Sequence, residues 1–351
     1  MKYYFDDLFD SKKISKCDFL IETIKKLEHK HNEKYTLLAI CPNSKLVIKA
    51  AIESAKKNNA PLIFAATLNQ IDTDGGYTKL NFKEFVQVVK NEINDCNFSG
   101  PVIIGLDHGG PWLKDRQVIE GWDFNKCMKW TKKSFEEAIV AGYDLIHVDP
   151  TVDKNINSNE ILNIKIVVER TVELISHIEI FRKKNGIPCV AYEVGTEEVK
   201  GGLADLKKFR FFLEFLKQSL SQKELKYIWP CFVVGKVGTN LHTNYFDVKT
   251  ASILVNEAAK YGSLIKGHYT DYVENLKDYP KTGIGGANIG PELTEVEFVS
   301  LMKFVKVEDE LKKNINLNTT SNLDKVLNKA IYKSNRWKKW LSQLFLFSGN
   351  L

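Results

Sequence analysis

Eight short apolar runs, rich in β-branched residues and each followed by a stretch with helical periodicity, constrain this chain more than any other feature. TLLAIC (36–41) precedes SKLVIKAAIESAKK, PLIFAAT (61–67) precedes a Gly-Gly loop and FKEFVQVVKNEI, and PVIIGL (101–106) precedes WTKKSFEEAIVAG. DLIHVD (144–149), IPCVAYEV (187–194), YIWPCFVVG (227–235), SLIKGH (263–268) and GIGGANIG (283–290) continue the series, each with its own helix-like segment. Unbroken apolar runs fit strands buried on both faces, which is what helix-covered parallel sheets require. Eight such units predict a closed (β/α)8 TIM barrel, with an open doubly wound sheet as the alternative. The 351 residues accommodate a barrel, which typically needs roughly 250, plus terminal extensions.

The reading divides the chain into a barrel over 1–312, opened by an extra N-terminal helix within 1–35, and a C-terminal helical extension over 313–351. The extension begins polar and Asn-rich, and ends basic and aromatic. Trp337, Trp340, Leu344 and Phe345 read as one apolar stripe that packs on the barrel or a partner subunit. The net charge of +6, from 50 basic and 44 acidic residues, is mild; nucleic-acid binding needs a clustered basic face, which only the C-terminal tail suggests, so no nucleic-acid partner is expected. No apolar run reaches the roughly 20 residues that span a bilayer. MKYYFDDLFDSKK carries no apolar signal segment, and the six scattered cysteines form no CxxC pair, so a reducing, cytoplasmic setting is expected.

Parallel barrels do their chemistry at the C-terminal ends of the strands. His108, His242 and His268 fall at or just beyond such ends, after strands three, six and seven. Three imidazoles suit Zn2+ or a neighbouring divalent ion and leave a position open for substrate. Asp107, beside the first of them, is a ready acid/base. The other histidines read as bystanders: His29, His31 and His177 on the surface, His147 as packing within strand four.

Glu193 ends strand five, either as a fourth metal ligand, as a substrate contact, or in a salt bridge to a Lys across the barrel top. Asp149 ends strand four, where it orients a histidine or binds substrate. Asn69, Gln70 and Asp72, in the polar loop after strand two, read as binders of sugar hydroxyls. The Gly75-Gly76 pair beside them serves the ligand or simply the turn.

Beyond these positions, the segments ATLNQIDTDGGYT, GLDHGGP, AGYDLIHVDPTVD, YEVGTEEVKGG, GHYTDY and GGANIGPELT resemble the tagatose-bisphosphate aldolase accessory-subunit family over roughly 36–310. That family is related to the zinc-dependent class II fructose- and tagatose-bisphosphate aldolases. The resemblance implies a TIM barrel and a metal-dependent lyase acting on a ketose, in phosphorylated form, through an enediolate. It implies Asp107 as the proton-transferring residue, His108, His242 and His268 as zinc ligands, and Glu193 near the metal. It also allows a class II aldolase partner subunit for which this chain is a non-catalytic accessory; a homo-oligomer is expected otherwise. A C4 epimerase working by retro-aldol chemistry is a further alternative.

The sequence departs from the aldolases where phosphate binds. His268 is followed by Tyr269, Thr270, Asp271 and Tyr272 instead of a Gly/Ser-rich loop. The eighth strand carries Asn288, Ile289, Gly290 and Pro291 in place of an Asn-Ile-Asp-Thr segment. Asn288 and the backbone around Gly285 and Gly286 remain as candidates for holding substrate or one phosphate.

Overall fold

The computed structural model describes residues 14–156, 162–196, 203–240, 243, 245–315 and 319–337. Eight parallel strands close in sequence order into a barrel: β1 (Leu37–Ile40), β2 (Leu62–Thr67), β3 (Val102–Gly109), β4 (Leu145–Val148), β5 (Ala191–Val194), β6 (Phe232–Gly235), β7 (Leu264–Gly267) and β8 (Gly286–Ile289). The β1–β8 register, Leu37 against Gly286 through Ile40 against Ile289, completes the ring. The eight alternations read from the sequence are therefore eight barrel units, and the open sheet is excluded.

Helix α1 (Lys16–His31) precedes the first strand, as expected. Ser15 caps it by accepting the Asp18 N–H at 2.9 Å, and Asn32 ends it in the left-handed region. Its buried Cys17, Leu20 and Ile21 pack against Leu37, Ala39, Ile63, Ala65, Ile103, Leu145, Ala191 and Phe232, the apolar lower layer of the barrel. Fully burying side chains of this kind contributes roughly 1.5–3 kcal/mol each. The bottom of the barrel is thus sealed by its own N-terminal helix.

Helices α2 (Lys45–Asn58), α3 (Phe82–Asp95), α4 (Asp115–Ile119), α5 (Phe124–Ala141), α6 (Ile164–Lys184), α7 (Leu206–Gln222), α8 (Val248–Ala259) and α9 (Asp278–Thr282) connect the strands. Helix α3 begins with a capping box between Asn81 and Glu84, and α5 is capped by Asp123 and stopped by Gly142.

The chain divides into two compact units, Met1–Glu292 and Leu293–Leu351. The second holds most of α10 (Pro291–Ile315) and all of α11 (Leu323–Ser334). Within it, the Glu308 carboxylate accepts the Ser321 N–H and hydroxyl. Of the apolar stripe expected in the tail, Trp340, Leu344 and Phe345 lie outside the described residues. Among the described residues, no helix is long and apolar enough to cross a membrane.

Candidate active site

Side chains alternate faces along a strand, so a residue two positions beyond an inward apolar residue also points inward. Leu145 and Ala191 belong to the apolar lower layer, and His147 and Glu193 stand one step above them. The same step leads from Ile103 through Gly105 to Asp107, from Leu264 through Lys266 to His268, and from Gly286 to Asn288. Apolar filling at the bottom of the barrel gives way to ionisable groups at the top.

Strict alternation would send Asp107 and His108 to opposite faces. The β3–β4 register instead shifts between Leu106 and Gly109, and His108 takes a positive φ of 50°. A bulge of this kind re-aims a side chain, and a left-handed non-glycine residue stores backbone strain that the surroundings must sustain. The glycines after His108 make the bulge possible. A Cβ on Gly110 would lie 1.8 Å from the Asp149 carbonyl oxygen, and the Asp149 N–H donates to the Gly109 carbonyl at 2.9 Å. Asp149 is thereby held against His108, with its Oδ2 2.6 Å from His108 Nδ1. That contact leaves His108 Nε2 directed at the centre.

Three imidazoles meet above the apolar layer. Their ring centroids lie 5.0 Å apart for His108 and His147, 4.9 Å for His108 and His268, and 5.6 Å for His147 and His268. Asp107 sits among them, its Oδ1 3.0 Å from His147 Nδ1 and its Oδ2 accepting from Asn288 Nδ2 at 3.0 Å. His147 Nδ1 also lies 3.2 Å from the His108 N–H. One ring nitrogen cannot accept that N–H and donate to Asp107 at once, so a cation between nitrogen and carboxylate would relieve the crowding of acceptors.

Asp107, His108, His147 and His268 each offer one ligand atom, all within 4.8 Å of one another. Two ligand atoms about 2.1 Å from a shared zinc ion stand at most roughly 4.2 Å apart. Set tetrahedrally around such an ion, four ligand atoms stand roughly 3.4 Å apart, so the donor set would close by up to about 1.4 Å on binding. Three imidazoles and a carboxylate suit zinc and its neighbours chemically.

Beneath them lies a buried ion pair. Lys266 Nζ is 2.6 Å from Glu193 Oε2 and 3.8 Å from Asp107 Oδ1, and His268 Nε2 is 3.3 Å from Glu193 Oε1. Burial raises the Glu193 pKa, but Lys266, His147 and His268 outweigh it and bring the carboxyl down to about 2. Burial likewise opposes charge on Asp107, yet His108, Lys266, His147 and His268 hold it well below the usual carboxylate range. His268 is pushed down to about 4, chiefly by burial, which leaves it a neutral ligand at pH 7. His108 moves the other way: burial disfavours its charge, but Asp107 and Asp149 raise its pKa.

The structure brings Asp107, His108, Glu193, His268, Asp149 and Asn288 together, and His242 lies outside the described residues. Two residues of the cluster escape the sequence reading. His147, read as packing, lines the site. Lys266 fulfils the alternative of a salt bridge from Glu193 to a lysine.

The loop residues are differently employed. Asp72 is fully buried and accepts from Lys114 Nζ (2.5 Å), Trp130 Nε1 (2.8 Å), Ser134 Oγ (2.7 Å) and the Thr73 N–H (2.8 Å). Asn69 donates to the Leu113 carbonyl and accepts the Asp115 N–H, while Gln70 donates to Asn43 Oδ1 and accepts the Thr67 N–H. These groups fasten the loop after β2 to its neighbours, a structural use of the residues expected to bind sugar hydroxyls. Gly76 belongs to that turn, since a Cβ on it would lie 2.2 Å from the Gln70 carbonyl oxygen. Gly285 and Gly286 stand at the start of β8, the opposite end from the site, so they cannot cradle a phosphate there. A Cβ on Gly286 would meet Lys266 Cγ at 3.1 Å, so its service is to make room for the buried lysine.

A family model for D-tagatose-1,6-bisphosphate aldolase subunits of the GatZ/KbaZ-like type matches residues 21–344. The chain belongs to the GatZ/KbaZ-like family. Among solved structures, it is similar to a probable tagatose 6 phosphate kinase from Sinorhizobium meliloti 1021, with 20% identity, a TM-score of 0.70, and coverage of 87% of this chain and 77% of that one. It is also similar to fructose-bisphosphate aldolase from Campylobacter jejuni, with 14% identity, a TM-score of 0.55, and coverage of 84% and 81%. At these identities the likeness is one of fold, and it agrees with the barrel closure seen in this GatZ/KbaZ-like chain.

Proposed function

We propose that this GatZ/KbaZ-like protein is itself a divalent-metal-dependent lyase that cleaves or forms a carbon–carbon bond in a ketose. The observation that carries the reading is the buried Asp107 carboxylate, placed among three histidines and fixed by Asn288. His108, His147 and His268 would hold the ion, with Asp107 beside it. His242 joins them as a ligand proposed from the sequence alone. A bound ion supplies an electrophile for the ketose carbonyl and charge to stabilise an enediolate.

The protein groups do the rest. In the cleavage direction, the hydroxyl on the carbon beyond the breaking bond gives its proton to Asp107. Its oxygen becomes the carbonyl of the departing aldehyde, and the bonding electron pair stays with the ketone fragment as the enediolate. Asn288 Nδ2 keeps the receiving carboxylate in place. Among the described residues, Asn288 Oδ1 is buried without a hydrogen-bond partner, so it is able to accept from a substrate hydroxyl. Glu193, paired to Lys266, supports His268 and the charge balance beneath the substrate.

The test is aldol cleavage of ketoses and their phosphates by the metal-loaded protein, followed by a chelator and by Asp107→Asn. General acid–base catalysis contributes about 10²–10⁴-fold, so the variant should lose at least about a hundredfold in rate. A purified protein that binds no divalent ion refutes the reading. An epimer formed without free triose moves it to a C4 epimerase. Activity confined to mixtures with a class II aldolase subunit moves it to an accessory role.

A further inference from the structure

Barrel enzymes that take phosphorylated substrates commonly hold the phosphate on backbone N–H groups beyond strands seven and eight. Here three of those donors, the N–H groups of Tyr272, Gly290 and Glu292, are already engaged. The Asp271 carboxylate, three residues past His268, accepts the Gly290 N–H at 2.9 Å and the Glu292 N–H at 2.8 Å through the same oxygen. Pro291 between them has no N–H to offer. Glu292 answers in kind, its carboxylate accepting the Tyr272 N–H at 2.7 Å. The tops of β7 and β8 are thus clamped to each other by two carboxylates of the chain itself.

Charge points the same way. Neither His268–Leu276 nor Gly286–Glu292 contains a lysine or arginine. A phosphate of about −1.5 to −2 charge would face Asp271 and Glu292 with no cation from these segments to offset them. What the region offers beside Asp107 is the buried Asn288 Oδ1, an acceptor suited to a neutral hydroxyl.

We infer that Asp271 is a built-in substitute for phosphate, and that the ketose bound by this barrel carries no phosphate on the end lying over β7 and β8. The inference rests on the sugar-binding reading above, but it concerns recognition and is measurable without turnover.

The experiment is calorimetric binding to the metal-loaded full chain, using D-tagatose and D-fructose with their 1-phosphates, 6-phosphates and 1,6-bisphosphates. The wild-type protein should bind each bisphosphate no more tightly than the better of its two monophosphates, because one phosphate finds no site. Asp271→Gly frees both N–H groups and removes a repelling charge. Charge-assisted hydrogen bonds contribute about 1.5–3 kcal/mol, so the bisphosphates should then bind at least about tenfold more tightly than to wild type. If that variant does not fold, Asp271→Ser frees at least one donor and should shift binding in the same direction. A wild-type preference of about tenfold or more for the bisphosphate over both monophosphates overturns the inference. So does a folded variant with unchanged bisphosphate affinity. Binding as expected without aldol cleavage would refute the lyase reading and leave this one standing.

Discussion

Replacing Lys266 by Met tests whether the ionic layer under the site is organised as a single unit. The ammonium is 1% exposed, 2.6 Å from Glu193 and 3.8 Å from Asp107. Removing one partner of a buried ion pair leaves the other uncompensated, at a cost of about 3–5 kcal/mol. The carboxyl gives a second figure. Held at about 2 instead of 4.5, Glu193 carries roughly 3 kcal/mol of charge-dependent stability. Lys266→Met in chelator-treated protein should therefore lower the urea midpoint by roughly 1–2 M, for a slope of about 2–3 kcal/mol/M.

The pH dependence follows from the sign of the shift. A carboxyl whose folded pKa is depressed contributes stability that is present above its unfolded value and is lost as pH falls towards its folded value. The gap between wild type and variant should hold constant from pH 7 to 5, then narrow as pH drops below 4.5 towards about 2. Adding Glu193→Gln to the variant should recover at least about half of the loss, because the orphaned charge is gone. A gap below about 1 kcal/mol, or one undiminished at pH 3, would refute the ionised pair.

Other outcomes follow from the same geometry. His147→Ala should weaken zinc binding by at least about a hundredfold in calorimetry, while His177→Ala, paired to Glu136 on the outside, should not change it. Asp149→Asn should keep the fold but weaken zinc binding by about 10–100-fold, because it perturbs the partner that orients His108.

The architecture was legible because the β/α alternation is carried by local pattern, and each run needs only its own helix and its neighbouring strands to be explained. His108 and His268 were legible because strand ends are. His147 was hidden inside LIHVD, where a polar residue among apolar ones resembles packing. The signal lay in the alternation: Leu145 faces the interior, so His147 must as well. Lys266 carried a louder signal, since a lysine in the middle of an apolar barrel strand demands a buried partner. The bulge at His108 depends on how closely Gly110 approaches Asp149, a contact between residues 39 positions apart, although the adjacent Gly-Gly pair marks its place. At Asn69, Gln70 and Asp72 the sequence was ambiguous, because polarity in a loop does not say whether its partner is a ligand or the protein. Lys114, which engages Asp72, comes from the next loop.

The same cluster bears on whether the barrel is a catalyst or a support. Barrel interiors are ordinarily filled by branched apolar side chains. This one buries Asp107, His147, Glu193, Lys266 and His268 in contact with one another. Each must be desolvated, and well-packed apolar residues of similar volume often serve stability better by about 1–4 kcal/mol. The proposed proton carrier beside a metal gives that sacrifice a use, whereas a chain that only props up a partner subunit would need it for conformational specificity instead. The concerted replacement Asp107→Val, His147→Leu, Glu193→Leu, Lys266→Met, His268→Leu and Asn288→Leu, which leaves neither His268 nor Asn288 orphaned, should accordingly raise stability towards urea while abolishing zinc binding, the opposite of the loss expected from Lys266→Met alone. If the sixfold variant proves less stable than wild type with its fold intact, the polar core serves folding. The stability argument for a catalytic role would then fail, whatever the histidines bind.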